Sequence, residues 1–181
     1  MGRARGYASL ALPPSRLFQY GVAMNGEEST RPAAAGIPTA LSIDTVKDLW
    51  SRTYNTEGKP DWSHIFPHYH PDVVFQDSIQ RVEGKEAFIA LCDRLTKRCE
   101  QLRMDIHRVA QGGDSIFLEW TMTMMFRKFP STPMYGSTKL TLHADGRIIA
   151  QRDYYDLWGD IFNGIPGFRK GYRGFMRKYF G

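Results

Sequence analysis

Residues 149–156 read IAQRDYYD, and Arg152 to Asp156 hold an arginine, two tyrosines and two carboxylates in five consecutive positions. A carboxylate can take or give a proton, and a tyrosine hydroxyl can donate to an oxygen on which charge develops. A strand sends alternate side chains to opposite faces, so Gln151, Asp153 and Tyr155 would share one side and Arg152, Tyr154 and Asp156 the other. One set is expected to look into the protein.

The rest of the chain must place that strand. Ser42 can cap a helix whose apolar positions Ile43, Val46, Leu49, Trp50 and Tyr54 follow helical spacing, until EGKPD breaks it. A short second helix is expected over Asp61 to Phe66, stopped by Pro67, and VVFQDSIQRVEG reads as two short strands around a turn. Lys85 to Glu100 returns to helical spacing through Phe88, Leu91, Cys92, Leu95 and Cys99. Four long strand patterns follow: LRMDIHRVAQ, SIFLEWTMTMMFRKF, YGSTKLTLH and RIIAQRDYYDLW, separated by GGD, PSTP and ADG. The expected class is α+β, with helices laid on one face of a curved antiparallel sheet.

At 181 residues and 42% hydrophobic content the chain is long enough for one domain with its own core. No apolar run reaches the roughly 18–20 residues that span a bilayer, so a soluble protein is expected. The net charge of +5 sits at the ends: four Arg against two Glu in residues 1–40, and five Lys and Arg against one Asp in residues 159–181. The body between them is nearly neutral, which argues against a domain-wide nucleic-acid surface. Cys92 and Cys99 lie about 10 Å apart along a common helix, too far to bridge, and read as reduced core residues of a cytoplasmic protein. Residues 1–40 read as an extension and linker preceding a domain over 41–181. The first 24 residues hold three Arg and no acid, so a mitochondrial transit segment is the alternative.

From about residue 42 to 180 the chain resembles the SnoaL-like, or nuclear transport factor 2-like, cone-fold superfamily. The resemblance rests on YHPDVVFQDSIQRVEGKEAF, MDIHRVAQGGDSIFLEWTM and RIIAQRDYYDL. It implies a curved sheet and helices enclosing a conical pocket, the arrangement in which ketosteroid isomerases, SnoaL-type polyketide cyclases and limonene epoxide hydrolase move protons. Asp77 falls where the isomerases carry their general base, and Asp153 where the cyclases and the hydrolase carry a catalytic aspartate. The hydrolase's accompanying Arg and second Asp are replaced by Trp120 and Met122, and the isomerases' protonated aspartate by Thr138. Tyr54 is near the position of the isomerases' oxyanion-binding tyrosine.

On that frame Asp153 is the first candidate for acid or base, with Asp77 its partner. Tyr54, Tyr155 and Gln151 would orient a ligand, and Trp120, Met122 and Phe75 would line an apolar cone that raises the carboxylate pKa. The structural alternative is that Asp153 pairs with an arginine and Asp77 only satisfies the turn after Gln76. His64, His68 and His70 do not read as a metal site, because Pro67 interrupts the helix their spacing would need. His107 reads as a surface position.

In the tail, Ile165, Phe168, Tyr172, Phe175 and Tyr179 recur at helical spacing among five cations, giving a basic amphipathic helix. It is expected to cover the domain or a subunit contact, and attachment of residues 165–181 to an anionic membrane is the sharper alternative. Together these readings describe a homodimeric domain, by resemblance, that binds a small, largely apolar molecule bearing a polar oxygen. Any catalysis would be cofactor-independent proton transfer of the isomerase, cyclase or hydrolase kind. The rival is a noncatalytic ligand-binding or scaffold module.

Overall fold

The computed structural model describes residues 41–54, 58–126, 131–165 and 167–181, so the expected extension over residues 1–40 lies outside the described residues. Helix α1 spans Ile43–Tyr54. Its start is a reciprocal cap: Thr45 N donates to Ser42 Oγ at 3.3 Å and Ser42 N donates to Thr45 Oγ1 at 2.7 Å. Val46, Leu49, Trp50 and Thr53 form its buried stripe.

The expected second helix is not formed. Residues 63–65 make a turn, and Phe66–His68 a single 3-10 turn that carries Pro67 in its first positions, where a missing N–H costs no hydrogen bond. Trp62 and Ile65 are buried there without helical geometry, and the His64 ring reaches back to Leu49 O at 2.9 Å and Thr53 Oγ1 at 3.0 Å, tying the turn to α1.

Six strands make one sheet: β1 Tyr69–Gln76, β2 Arg81–Glu83, β3 Cys99–Gly112, β4 Ser115–Phe126, β5 Pro133–Leu142 and β6 Ile148–Tyr155. Helix α2, Lys85–Arg98, carries the chain from β2 to β3. It ends one residue before Cys99, whose backbone is already extended at φ −88°, ψ 133°. The two cysteines therefore do not share a helix face; both are nevertheless buried and free.

The sheet order is β2-β1-β6-β5-β4-β3. After α2 the chain runs β3 to β6 as an antiparallel meander and returns to lie parallel to β1. That return puts the chemistry-bearing strand β6 in the interior of the sheet. Bulges at Cys99/Gln101 and Ile106/Arg108 interrupt the long β3 ladder, and such extra residues bend a strand and sharpen its twist.

On the helix-covered face Leu102, Met104, Ile116, Leu118, Trp120, Met134 and Leu140 pack against Val46, Trp50, Phe88 and their neighbours. The other face leaves Phe117, Tyr135 and Tyr154 exposed. Beyond β6, Asp156 Oδ1 accepts from Trp158 N at 3.0 Å and Gly159 N at 2.8 Å, starting a π-helical turn over Leu157–Ile161. A side chain at Gly159 would collide with that carboxylate. A 3-10 turn, Phe162–Gly164, then leads to helix α3, Phe168–Phe180, which begins after Ile165 rather than at it.

Candidate functional site: an inward carboxylate on the central strand

Alternation on β6 holds from Gln151 onward. Gln151 and Asp153 turn inward, while Tyr154 is exposed and lies beneath the Arg152 guanidinium at 5.3 Å on the outer side. Directly across on β5, Thr138 pairs with Asp153, and its Oγ1 donates to Asp153 Oδ1 at 2.7 Å. The direction of that bond is forced. An ionised carboxylate only accepts, so the threonine proton points at it, and Trp120 Nε1, which can only donate, takes a lone pair of the same hydroxyl at 3.0 Å.

A second chain arrives from the other side. Gln151 Nε2 donates to Asp153 at 3.0 Å (Oδ1) and 3.3 Å (Oδ2), while Gln151 Oε1 accepts from the buried Tyr69 hydroxyl. Both chains thus end as neutral donors on one carboxylate, and Oδ1 takes the two shorter bonds. Among the described residues Asp153 has no ion-pair partner, so the alternative of an arginine-paired Asp153 is not what forms. Burial pushes its pKa from the ordinary 3.8 up to about 6; the bonds from Thr138 and Gln151 oppose the rise, and the nearby Asp77 charge adds to it.

The Asp153 charge is felt by Tyr54, Tyr69 and Cys92, whose own ionisations are pushed up chiefly by burial, the thiol to about 12. Tyr54 accepts from Trp62 Nε1 at 3.1 Å and meets that ring edge-on at 5.7 Å. With its oxygen lone pair so used, its own proton remains available to a ligand. Tyr155 is also held protonated, first by desolvation and then by the Asp77 carboxylate its hydroxyl faces.

Asp77 itself is bound into the β1–β2 turn: its Oδ1 accepts from Ile79 N and Gln80 N, both at 2.7 Å. That is the structural role weighed for it, and it coexists with the electrostatic link to Asp153. Phe75 and Trp120 are buried, Phe75 packed at a tilt against Phe88 at 5.3 Å, and Met122 packs at the core's margin.

Two participants escaped the sequence reading. Tyr69 carries the Gln151 amide, and its only signal was an aromatic at the start of a strand. Gly136 lies opposite Trp120 in the β4–β5 register, where a β-carbon would overlap the indole; its absence lets the ring cross β5 to reach Thr138. Thr138 was visible only as the replacement of an acid.

Elsewhere, His70, His143 and Asp145 bring ligand-type atoms within 4.8 Å of one another. Arg147 holds Asp145 Oδ2 through Nε at 2.8 Å and Nη2 at 2.6 Å, while its backbone N takes Oδ1. That carboxylate is already neutralised, so the donor set is poorly suited to a cation. A depression of about 460 Å³ lies on the outer face among Val74, Gln76, Arg81, Lys139, Thr141 and Arg152, away from the inward Asp153 side chain. His107 is exposed and bonds Thr121 Oγ1 at 2.7 Å, as a surface position should.

A sheet wrapped over two helices with an inward carboxylate on its central strand defines a cone-fold α+β protein. The SnoaL-like domain model matches residues 50–151, and the chain belongs to that family. No curated protein sequence matches significantly. Among solved structures, the chain is similar to a protein from Jannaschia sp. CCS1 described as a SnoaL-like polyketide cyclase, at 21% identity over 73% of this chain and 99% of that one, TM-score 0.55. It is similar also to a protein with a ketosteroid isomerase-like fold from Catenulispora acidiphila DSM 44928, in complex with trimethylamine, at 16% identity over 68% and 93%, TM-score 0.54. A nuclear transport factor 2-like protein of unknown function from Exiguobacterium sp. 255-15 matches at 15% identity over 60% and 92%, TM-score 0.50. These likenesses establish the fold.

Proposed function

We propose that the domain binds a small, largely apolar molecule bearing a carbonyl or related oxygen, and catalyses cofactor-independent proton transfer with Asp153 as general base. The observation that carries this reading is the carboxylate itself: half-buried, without a cationic partner among the described residues, and held by two neutral hydrogen-bond chains that leave Oδ2 the less committed oxygen. A base near pKa 6 is ionised at neutral pH yet returns its proton readily. Abstraction of a proton from carbon adjacent to a carbonyl would leave negative charge on the carbonyl oxygen, which the Tyr54 hydroxyl can receive as a donor. Return of the proton from Asp153 to another carbon completes an isomerisation; attack of the enolate on a second carbonyl within the molecule closes a ring, with the proton passing from Asp153 to the new alkoxide.

Screening enones, polyketide-like lactones and epoxides with the purified protein tests the proposal. Turnover should rise as pH climbs through about 6 and Tyr54→Phe should lower kcat by roughly 10²-fold, the scale of removing one oxyanion donor. A ligand that binds tightly but is never converted would favour the noncatalytic reading instead.

The scaffold reading draws on the outer face, where Phe117, Tyr135 and Tyr154 stand 47–62% exposed. A homodimer paired through that face would cover them. Sedimentation equilibrium should give twice the chain mass, and Phe117→Lys with Tyr135→Lys should return the monomer; a wild-type monomer would refute the pairing. The two free, buried thiols suit a reducing, cytoplasmic setting.

A further inference from the structure

Helix α3 is built differently from α1 and α2. None of its residues is buried. On a 100° helical projection Phe168, Tyr172, Phe175 and Tyr179 form one narrow stripe, and Arg169, Lys170, Arg173, Arg177 and Lys178 fill the opposite arc. No acidic residue occurs between Ile161 and Gly181, and among the described residues none of the five cations makes an ion pair.

The first half of the stripe has a partner. Trp158 stacks with Phe168 at 5.6 Å and Tyr172 at 6.0 Å, and Phe162 meets Phe168 at 5.3 Å. This small aromatic stack is fastened to the sheet, because Tyr135 N donates to Asp160 Oδ2 at 2.9 Å and Thr132 Oγ1 to Asp160 O at 3.2 Å. The second half has no such cover among the described residues. Phe175, Tyr179 and Phe180 pack on one another, yet remain 54%, 61% and 74% exposed. The expectation that the whole stripe covers the domain thus holds only for its first two turns.

We infer that α3 is a peripheral anchor for anionic lipid surfaces. Its exposed aromatic end supplies rings to enter the headgroup region, while Arg169 and Lys178 at the edges of the stripe reach lipid phosphates and carboxylates and the other three cations add long-range attraction to the anionic surface. Charge complementarity selects this partner: an apolar protein groove would not require five unneutralised cations around the aromatic tip. Among the described residues no helix is long and apolar enough to cross a membrane, so attachment would lie in the interface plane. Gly171 and Gly174 are not needed for packing, since a β-carbon at either would meet nothing within 4 Å. They loosen the free helix, which an interface would then order.

The test is co-sedimentation of the full chain with vesicles of phosphatidylcholine alone and with about 30% phosphatidylserine, an anionic surface of the kind that attracts basic segments, in low and high salt. We compare wild type with Arg173→Glu/Arg177→Glu and with Phe175→Ser/Tyr179→Ser. All four positions lie outside the buried core, so unchanged circular dichroism and melting should accompany the substitutions. Wild type should bind only the anionic vesicles and release in high salt, and each double variant should lose about tenfold or more in affinity. Binding unaffected by either variant would place the contact outside α3 and overturn the inference. So would absence of vesicle binding, or tighter association with single-stranded RNA than with vesicles. Loss of a dimer in the variants, with no vesicle binding by wild type, would assign the stripe to a second copy of the chain and likewise overturn it.

Discussion

Asp153→Asn should abolish proton-transfer turnover and leave the protein at least as stable as wild type at neutral pH. The amide keeps the shape and can offer its own Oδ1 to Thr138 and Gln151, which make the two shorter bonds to that atom. What disappears is the partly desolvated charge. The folded-state pKa of about 6 exceeds the ordinary 3.8 because burial disfavours the ionised form. The folded protein therefore holds this proton more tightly than the unfolded chain. The group's stabilising contribution is fully present below about pH 3.8 and is lost as pH rises through about 6. A rise from 3.8 to about 6 corresponds to at most about 3 kcal/mol of penalty on the ionised form at about pH 8, from which the weaker hydrogen bonds of a neutral acceptor subtract about 1 kcal/mol.

Melting temperatures of the two proteins should thus move apart with pH, wild type gaining on the variant toward about pH 4 and falling level with it or below it by about pH 8. A carboxyl-carbon NMR titration of Asp153 reports the same pKa independently. A depressed value, with the variant clearly less stable at about pH 8, would mean the charge is paired in solution and would remove Asp153 from the reaction.

How legible this site was in the sequence depended on the range of the signal. Inward placement of Gln151 and Asp153 needs only the parity of one strand, and parity is local. The bulge at Ile149, which separates the Leu142–Ile148 pair from Thr141–Ala150, lies just outside the stretch where parity decides the site. Tyr69 could not be found that way: its hydroxyl meets Gln151 across 82 residues of chain, and only because β1 lies parallel to β6. A resemblance can suggest that pairing, whereas composition and periodicity cannot.

The misread helix at Asp61–Phe66 has a different cause. Trp62, Ile65 and Phe66 match helical spacing, yet a turn buries Trp62 and Ile65 just as well, and three apolar residues do not separate the two. Cys99 shows the same ambiguity at a boundary: it fits the α2 stripe and its N–H still bonds Leu95 O, but its backbone is already extended and it pairs with Phe126 across the ladder. For α3 the stripe itself was legible. Its cover was not, because how far Leu157–Gly164 carries the helix from the sheet is a property of that turn's geometry.

The other large effect is expected at a residue with no side chain. Gly136→Ala should destabilise the domain by about 3 kcal/mol and disable the site together. A β-carbon there would lie 2.6 Å from the Trp120 Cζ2 and 2.7 Å from the Tyr154 carbonyl oxygen, both far inside van der Waals contact. Neither neighbour yields cheaply. Trp120 is 2% exposed and closely packed, and the carbonyl belongs to the backbone of β6, one residue from Asp153. If the indole swings away, Thr138 loses the donor that holds and polarises the hydroxyl bonded to Asp153. If β6 moves instead, the carboxylate moves with it. The Asp153 pKa should therefore change along with the melting temperature, which an ordinary packing defect remote from the site would not produce. Trp120→Phe supplies the control, since the smaller ring vacates the space and removes the indole N–H. Combined with Gly136→Ala it should cost clearly less than the two single losses added, a coupling expected only of residues in contact. Additive losses with an unshifted Asp153 titration would mean that the indole is not held over Gly136, and that the Trp120–Thr138–Asp153 chain does not set the carboxylate.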